Sequence, residues 1–282
     1  MKVGFIGLGQ IGLPIAVRLG KRIPVHVWNR TREKVSEHKD IVGRNSIPTT
    51  LEEMHDKDVV FTCLPSTTES GNMIRKLGHE STTLKTFIDL SSGRFQESRE
   101  IAEDVQSHTY IDGPISGGPR GAAAGTLTSM IGAKSVHADI HKLIEIYSKK
   151  IVCCGGVGNG NAIKSVNNYL NISHLMLASD ALLSLKKQGV DPGIALESIN
   201  CSSGRSLQTQ ERIPEDVFTR RFNYGFKLNL MSKDVMNAAP ILKDGHFYEC
   251  MSKVLTPHSF CDKDYTYIAK FIEMHHNEKF EV

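Results

Sequence analysis

The segment Lys2 to Leu19 constrains the fold more than any other. Lys2 to Ile6 opens as a short apolar run, Gly7-Leu8-Gly9-Gln10-Ile11-Gly12 carries the spacing G-x-G-x-x-G, and Leu13 to Leu19 continues with apolar residues at helical intervals. The order is strand, loop, helix. The first glycine allows a tight turn, the second lets backbone approach a pyrophosphate, and the third lets helix and strand pack closely. A phosphate then meets the positive end of the helix. As a bare pattern G-x-G-x-x-G is common; its position at a strand-to-helix junction, with a second strand following, is what gives it meaning. A lysine and apolar residues at an N-terminus also resemble a secretion signal, but the glycines and Pro14 within the segment argue for a folded strand, turn and helix, so the expected location is cytoplasmic.

The second strand, Val25 to Trp28, ends at Asn29-Arg30-Thr31. An acidic residue about 20 positions past the fingerprint would bind the adenosine ribose of NAD, and none is present. Asn29 can hydrogen-bond a ribose or phosphate oxygen, Arg30 can pair with a 2'-phosphate, and Thr31 offers a hydroxyl, so NADP(H) is expected over NAD(H). The competing reading makes Arg30 a solvated loop charge at the start of a helix. Trp28 is expected to pack in the core beneath the adenine.

Further strands are expected at Asp58 to Leu64, Thr86 to Leu90, Tyr110 to Ile111 and Thr128 to Ile131, a spacing suited to alternating strand and helix and to a mainly parallel sheet. Ligands of such sheets lie at the carboxyl ends of strands, which nominates Leu64, Pro65 and Ser66 together with Ser91 and Ser92 as pocket walls. A second glycine-rich stretch runs from Asp112 to Gly132. Backbone N–H groups at Ser116, Gly117 and Gly118 can approach an anion there without side-chain obstruction, and a carboxylate suits them. The segment Gly158 to Asn168 sets Lys164 and Asn168 four positions apart, neighbours on one helix face. Ala162 to Gln188 keeps apolar residues at helical intervals, and Gly189 with Asp191-Pro192 reads as a helix stop and restart.

At 282 residues, 40% of them hydrophobic and 23% charged, the chain has ordinary globular values and length for two domains, here 1–160 and 161–282. It has no run long enough to cross a membrane. The net charge of +3 is interspersed, with short pairs such as Lys149-Lys150 and Arg220-Arg221, so no nucleic-acid partner is implied. The six cysteines show no C-x-x-C spacing and are expected reduced. No metal site is expected: His275-His276 has no ligand-spaced partner and reads as part of a disordered tail. His174, on the long helix, reads as packed or solvated.

Four blocks, Gly4 to Pro14, Asp112 to Gly132, Gly158 to Asn168, and Phe226 to Ala238 with Lys233-Asp234, resemble the β-hydroxyacid dehydrogenase family, the group of 3-hydroxyisobutyrate dehydrogenase, glyoxylate/succinic semialdehyde reductase and 6-phosphogluconate dehydrogenase. The resemblance implies an α/β Rossmann-type N-terminal domain with a mainly parallel sheet, an all-α C-terminal domain built on the long helix, an active site in the interdomain cleft, and a homodimer or homotetramer. The glycine fingerprint nominates Gly7, Leu8, Gly9, Gln10, Ile11 and Gly12 for cofactor binding, and the resemblance implies Lys233 closing over the cofactor. It also implies a substrate carboxylate on Ser116, Gly117 and Gly118, Lys164 as catalytic acid and base, and Asn168 on the reacting end of the substrate. The expected substrate is a small anionic carbonyl compound or hydroxy acid.

Two departures bear on pocket details: the turn Gly20 to Pro24 is short, and Gly93-Arg94 stands where a proline is usual nearby. Cys201 to Arg205 and Lys227, where substrate selection is expected, fit no one subfamily. Two other readings are an imine reductase, whose relatives generally lack the lysine found here as Lys164, and a non-catalytic NADP(H)-binding sensor or scaffold, against which intact Lys164 and Asn168 argue.

Overall fold

The computed structural model describes residues 1–31, 46–255 and 262–280. The chain divides into two units, Met1–Ser165 and Val166–Val282. In the first, strands β1 (Val3–Ile6), β2 (Val25–Trp28), β3 (Ser46–Pro48), β4 (Val59–Thr62), β5 (Thr86–Asp89) and β6 (Thr109–Asp112) pair in parallel in the order β3-β2-β1-β4-β5-β6. Helices α1 (Gly12–Gly20), α2 (Thr67–Glu80) and α3 (Phe95–Asp104) connect them. The central strands β1 and β4 are buried at every position and read as near-continuous apolar runs because both sheet faces are covered there. Alternate residues feed different cores: Val3, Phe5, Val59, Phe61, Ile88 and Ile111 pack with α1, whereas Ile6, Val60, Phe87 and Tyr110 pack with α2 and α3. Trp28 packs against the second of these cores, as its strand position suggested.

The expected strand at Thr128 to Ile131 exists as β8 (Leu127–Ile131) but does not extend this sheet. Ile115 and Ser116, as β7 (Ile115–Ser116), pair antiparallel with Ser129 and Thr128 and so occupy one edge of β8. β9 (Ser148–Cys153) takes the other edge in parallel, giving a separate three-stranded sheet. β9 carries Lys149 and Lys150 and is largely exposed, which is why no apolar run announced it. Helix α4 (Gly118–Ala124) links β7 to β8, and α5 (Ala138–Glu145) links β8 to β9. Arg18 of α1 ties these elements together, its Nε donating to Ile146 O at 2.8 Å and its Nη1 to Ala123 O at 3.0 Å.

Helix α6 (Asn159–Lys187) contains the boundary between the units. The second unit continues with α7 (Pro192–Asn200), a wide π-type helix Gln208–Phe218, α8 (Leu228–Asn237), α9 (Ala239–Leu242), α10 (His246–Leu255) and α11 (Ile268–His276). The stop and restart after α6 is as expected: Gly189 has φ +85°, and the Asp191 side chain accepts from Ile194 N at 2.9 Å. The core here joins Leu182 and Leu183 of α6 to Ile213 and Val217 of the π-helix, Val235 of α8 and Ile268 of α11. His275 and His276 end α11 rather than lying in a disordered tail, and His276 Nε2 sits 2.7 Å from Asp180 Oδ1. Cys63, Cys153, Cys154, Cys201 and Cys250 are free thiols, and Cys261 lies outside the described residues. Among the described residues no helix is long and apolar enough to cross a membrane, and no group of metal-ligating side chains forms.

Candidate active site

The glycine loop is built as its spacing dictates. Gly7 has φ +101°, a conformation that a side chain resists, and a Cβ there would lie 2.3 Å from Cys63 O. A Cβ on Gly12 would lie 2.0 Å from Gly7 O, so the third glycine is required for α1 to start against β1. Gly9 differs: a Cβ would meet nothing within 4 Å. The chain needs the outer two glycines for its own packing, while the middle one borders open space. No side chain caps α1, whose preceding residue is Ile11, and Gln10 is exposed. A bare helix start beside an open glycine is a cradle that a dinucleotide pyrophosphate fits.

Asn29 braces that cradle. Its Oδ1 accepts from Leu8 N at 3.0 Å and its Nδ2 donates to Thr31 O at 3.0 Å, so what it offers a ligand is its remaining N–H. Arg30 and Thr31 are exposed at the carboxyl end of β2. Leu64 is half-buried and Pro65 exposed after β4. Ser91 is buried; its hydroxyl accepts from Leu64 N at 2.9 Å and lies 2.7 Å from Ser70 Oγ. Ser91 therefore fixes the loop that carries Leu64 and Pro65.

Two aspartates that sequence reasoning passed over organise the carboxyl edge of the sheet. Thr62, Asp89 and Asp112 end β4, β5 and β6 in register. Asp89 is fully buried, accepts from Thr62 Oγ1 at 2.9 Å and Ser91 N at 3.0 Å, and burial pushes its carboxyl up to about 6. Asp112 accepts from Gly158 N at 2.7 Å and Asn161 N at 2.9 Å, the N–H groups that open α6. Burial raises its pKa, and those donors counter the rise. The signal was available: each is an acid closing a buried apolar strand, where an unpartnered carboxylate is costly.

Asn161 completes the anchor. Fully buried, it accepts from Gly93 N at 3.2 Å and donates to Ser98 Oγ at 2.9 Å. Gly160 is required because a Cβ there would lie 2.3 Å from Met130 O. Gly93, one of the sequence departures, leaves room for Thr67, whose Cβ would otherwise be 2.3 Å away. Lys164, half-buried, follows Asn161 by three positions on a helix start held by β6, by the loop after β5 and by α3. In the loop expected to take the substrate, Ser116 ends β7, and Gly117 (φ +130°) and Gly118 (φ +63°) turn into α4. A side chain at Gly117 would press on Leu127 Cδ2 at 2.9 Å, so this glycine serves the backbone whatever it binds.

In the second unit Asn168 is buried, and its Nδ2 donates to Asp234 Oδ2 at 2.6 Å. Lys233 Nζ lies 3.2 Å from Asp234 Oδ1. Asp234 thus orients the carboxamide and pairs with the lysine, leaving Asn168 a second N–H for an oxygen. The Lys233-Asp234 pair in the sequence was the clue to this role.

Comparison with known proteins identifies the family to which the chain is similar. Residues 2–156 match the NAD binding domain of 6-phosphogluconate dehydrogenase, and residues 158–254 match the NAD-binding region of NADP-dependent 3-hydroxyisobutyrate dehydrogenase. The chain is 32% identical to 2-hydroxy-3-oxopropionate reductase of Escherichia coli over 83% of its own length and 82% of the relative's. It is 30% identical to 2-(hydroxymethyl)glutarate dehydrogenase of Eubacterium barkeri, over 87% and 84%. The solved structure of Mycobacterium tuberculosis 3-hydroxyisobutyrate dehydrogenase with L-serine superposes with TM-score 0.85 at 22% identity, covering 96% of this chain and 98% of that one.

Proposed function

This chain belongs to the β-hydroxyacid dehydrogenase family, and from that membership we propose an NADP(H)-preferring oxidoreductase that interconverts a small β-hydroxy acid and its aldehyde or semialdehyde. A bound nicotinamide dinucleotide supplies the hydride acceptor or donor. Gly7 to Gly12 hold its pyrophosphate, Arg30 pairs with the 2'-phosphate, Leu64 and Pro65 flank it, and Lys233 closes over it. Backbone N–H groups of Ser116 to Gly118 bind the substrate carboxylate. Lys164, as the ammonium, protonates the carbonyl oxygen during reduction; as the amine, it takes the hydroxyl proton during oxidation. Asn168 orients that oxygen, with Asp234 fixing the carboxamide.

The observation that carries the reading is the anchoring of the helix start before Lys164. Asp112 and Asn161 bind it to the carboxyl edge of the sheet that begins with the glycine cradle, which is where ligands of such sheets lie. An amine held on a rigid element is suited to proton transfer, which requires fixed geometry. Lys164→Met is expected to lower kcat by about 10²- to 10⁴-fold while dinucleotide affinity is kept. Reduction requires the ammonium and oxidation the amine, so the two directions respond oppositely to pH. A Lys164→Met enzyme with most of its turnover and the same pH response would assign the proton to another group. Ser116→Ala, which keeps the backbone, is expected to raise KM for acidic substrates.

A further inference from the structure

The second unit contains a hollow of about 660 Å³ that no step above uses, bounded by the end of the π-helix, α11 and the segment after α11. Arg220, Tyr267, Lys270, Glu273, Glu278 and Lys279 line it. Its two carboxylates are already satisfied. Glu273, 5% exposed, is gripped by both Nη atoms of Arg220 and accepts from Phe280 N at 2.8 Å. Glu278 pairs with Lys186 at 3.2 Å. Among the described residues no carboxylate pairs with Lys270 or Lys279, so once Glu273 is set against Arg220 and Glu278 against Lys186, these described side chains leave two positive charges in surplus.

One of those charges is held in place. Lys270 Nζ lies 3.1 Å from Tyr267 Oη, 4.4 Å from the centroid of the Tyr267 ring and 4.9 Å from that of Phe222. Aromatic faces on the ammonium fix it without neutralising it. Arg220 (φ 59°) and Phe222 (φ 47°) both occupy the left-handed region, which is unfavourable for such residues. That backbone sets the guanidinium against Glu273 and the ring against Lys270. The Arg220-Arg221 pair is therefore not simply a solvated surface charge: Arg220 is built into the wall of a cationic hollow.

We propose that this hollow is a second, non-catalytic anion site that takes the phosphoryl group of a small molecule. Two uncompensated ammonium groups match a phosphoryl dianion in charge, and the N–H groups of Arg220 not used on Glu273 add directed donors. The volume exceeds what a bare anion fills and leaves room for a carbon skeleton.

The test titrates inorganic phosphate and, separately, glycerol 3-phosphate into the whole protein with nicotinamide dinucleotide in excess, against sodium chloride at matched ionic strength. Saturable heat is expected for at least one ligand: inorganic phosphate alone identifies the free anion as occupant, and glycerol 3-phosphate binding more tightly identifies a phosphorylated metabolite. Lys279→Glu and Lys270→Gln are each expected to weaken binding about tenfold or more, the scale of a lost charge-assisted contact. Lys279→Arg is expected to retain it. Lys279 is exposed, so its variants should fold normally and keep dinucleotide affinity and turnover. Absence of saturable binding in the unmodified protein, or equal affinity in the unmodified and Lys279→Glu proteins, overturns the proposal.

Discussion

At the residue scale, Asp89 shows how a group can be essential to the architecture and yet poorly solvated. Its carboxyl titrates at about 6 in the fold against an ordinary value of 3.8, because burial opposes the charge more than its hydrogen bonds support it. Between those values the folded state holds a proton that the unfolded chain has released. Stability from this group is complete below pH 4 and is lost as pH rises through 6. Asp89→Asn has no charge to bury and should escape that loss. Urea unfolding at pH 4 and pH 7 should find the variant gaining on the unmodified protein by on the order of 3 kcal/mol across the interval; a difference independent of pH would contradict the assignment. Arg30 poses a different question, because it is exposed and a charge there acts only on what comes to it. Arg30→Asp should weaken NADPH far more than NADH by repelling the 2'-phosphate. Direct binding measurements decide it, and equal affinities for both cofactors in the unmodified protein would remove the basis for an NADP(H) preference.

At the scale of the element, the start of α6 is held by several independent contacts. Gly158 and Asn161 donate to Asp112, Asn161 reaches Gly93 and Ser98, and Gly160 leaves no room for a side chain against β8. Asp112→Ala strips two buried N–H groups of their acceptor, at a cost of about 1–3 kcal/mol for each donor left unsatisfied. The expected result is a loss of about 2–6 kcal/mol in unfolding free energy, with kcat reduced because Lys164 follows on the same helix. Asp112→Asn keeps one acceptor oxygen and should recover part of the loss. If both variants unfold alike, the carboxylate is not acting as the cap of α6.

For the whole molecule, each unit has its own buried cluster, yet α6 leaves Leu170, Leu177 and Leu185 at 46%, 63% and 36% exposure in the second unit. Leu170 and Leu177 are seven positions apart, which places them on one side of the helix. An apolar stripe of this kind on an otherwise well-packed unit calls for cover, and we expect a second copy of the chain to supply it. Light scattering should give a dimer or a tetramer built from two dimers, and Leu170→Glu with Leu177→Glu should lower the mass. A fully active monomer at micromolar concentration would argue that the stripe is solvent-facing.

Whatever depends on neighbours along the chain could be read from the order of residues. Glycine spacing in Gly7 to Gly12 required a strand, tight turn and helix; residue pattern marked every strand of the main parallel sheet but β3; Gly189 and Asp191-Pro192 ended one helix and began the next. The common helix of Lys164 and Asn168 was legible for the same reason, since positions four apart share a helix face. Tertiary structure decided what depends on residues distant in sequence. β8 left the main sheet because β7 and β9 claimed its edges, and β9, a polar edge strand, had no apolar pattern to betray it. Asp89, Asp112 and Asn161 carry the candidate site's framework through contacts 21 to 94 positions away. Arg220, indistinguishable in sequence from any surface cation, was assigned to a built wall only by Glu273, 53 positions on. Periodicity records local backbone geometry, whereas the partner of a buried charge is chosen by packing, and packing is a property of the folded chain alone.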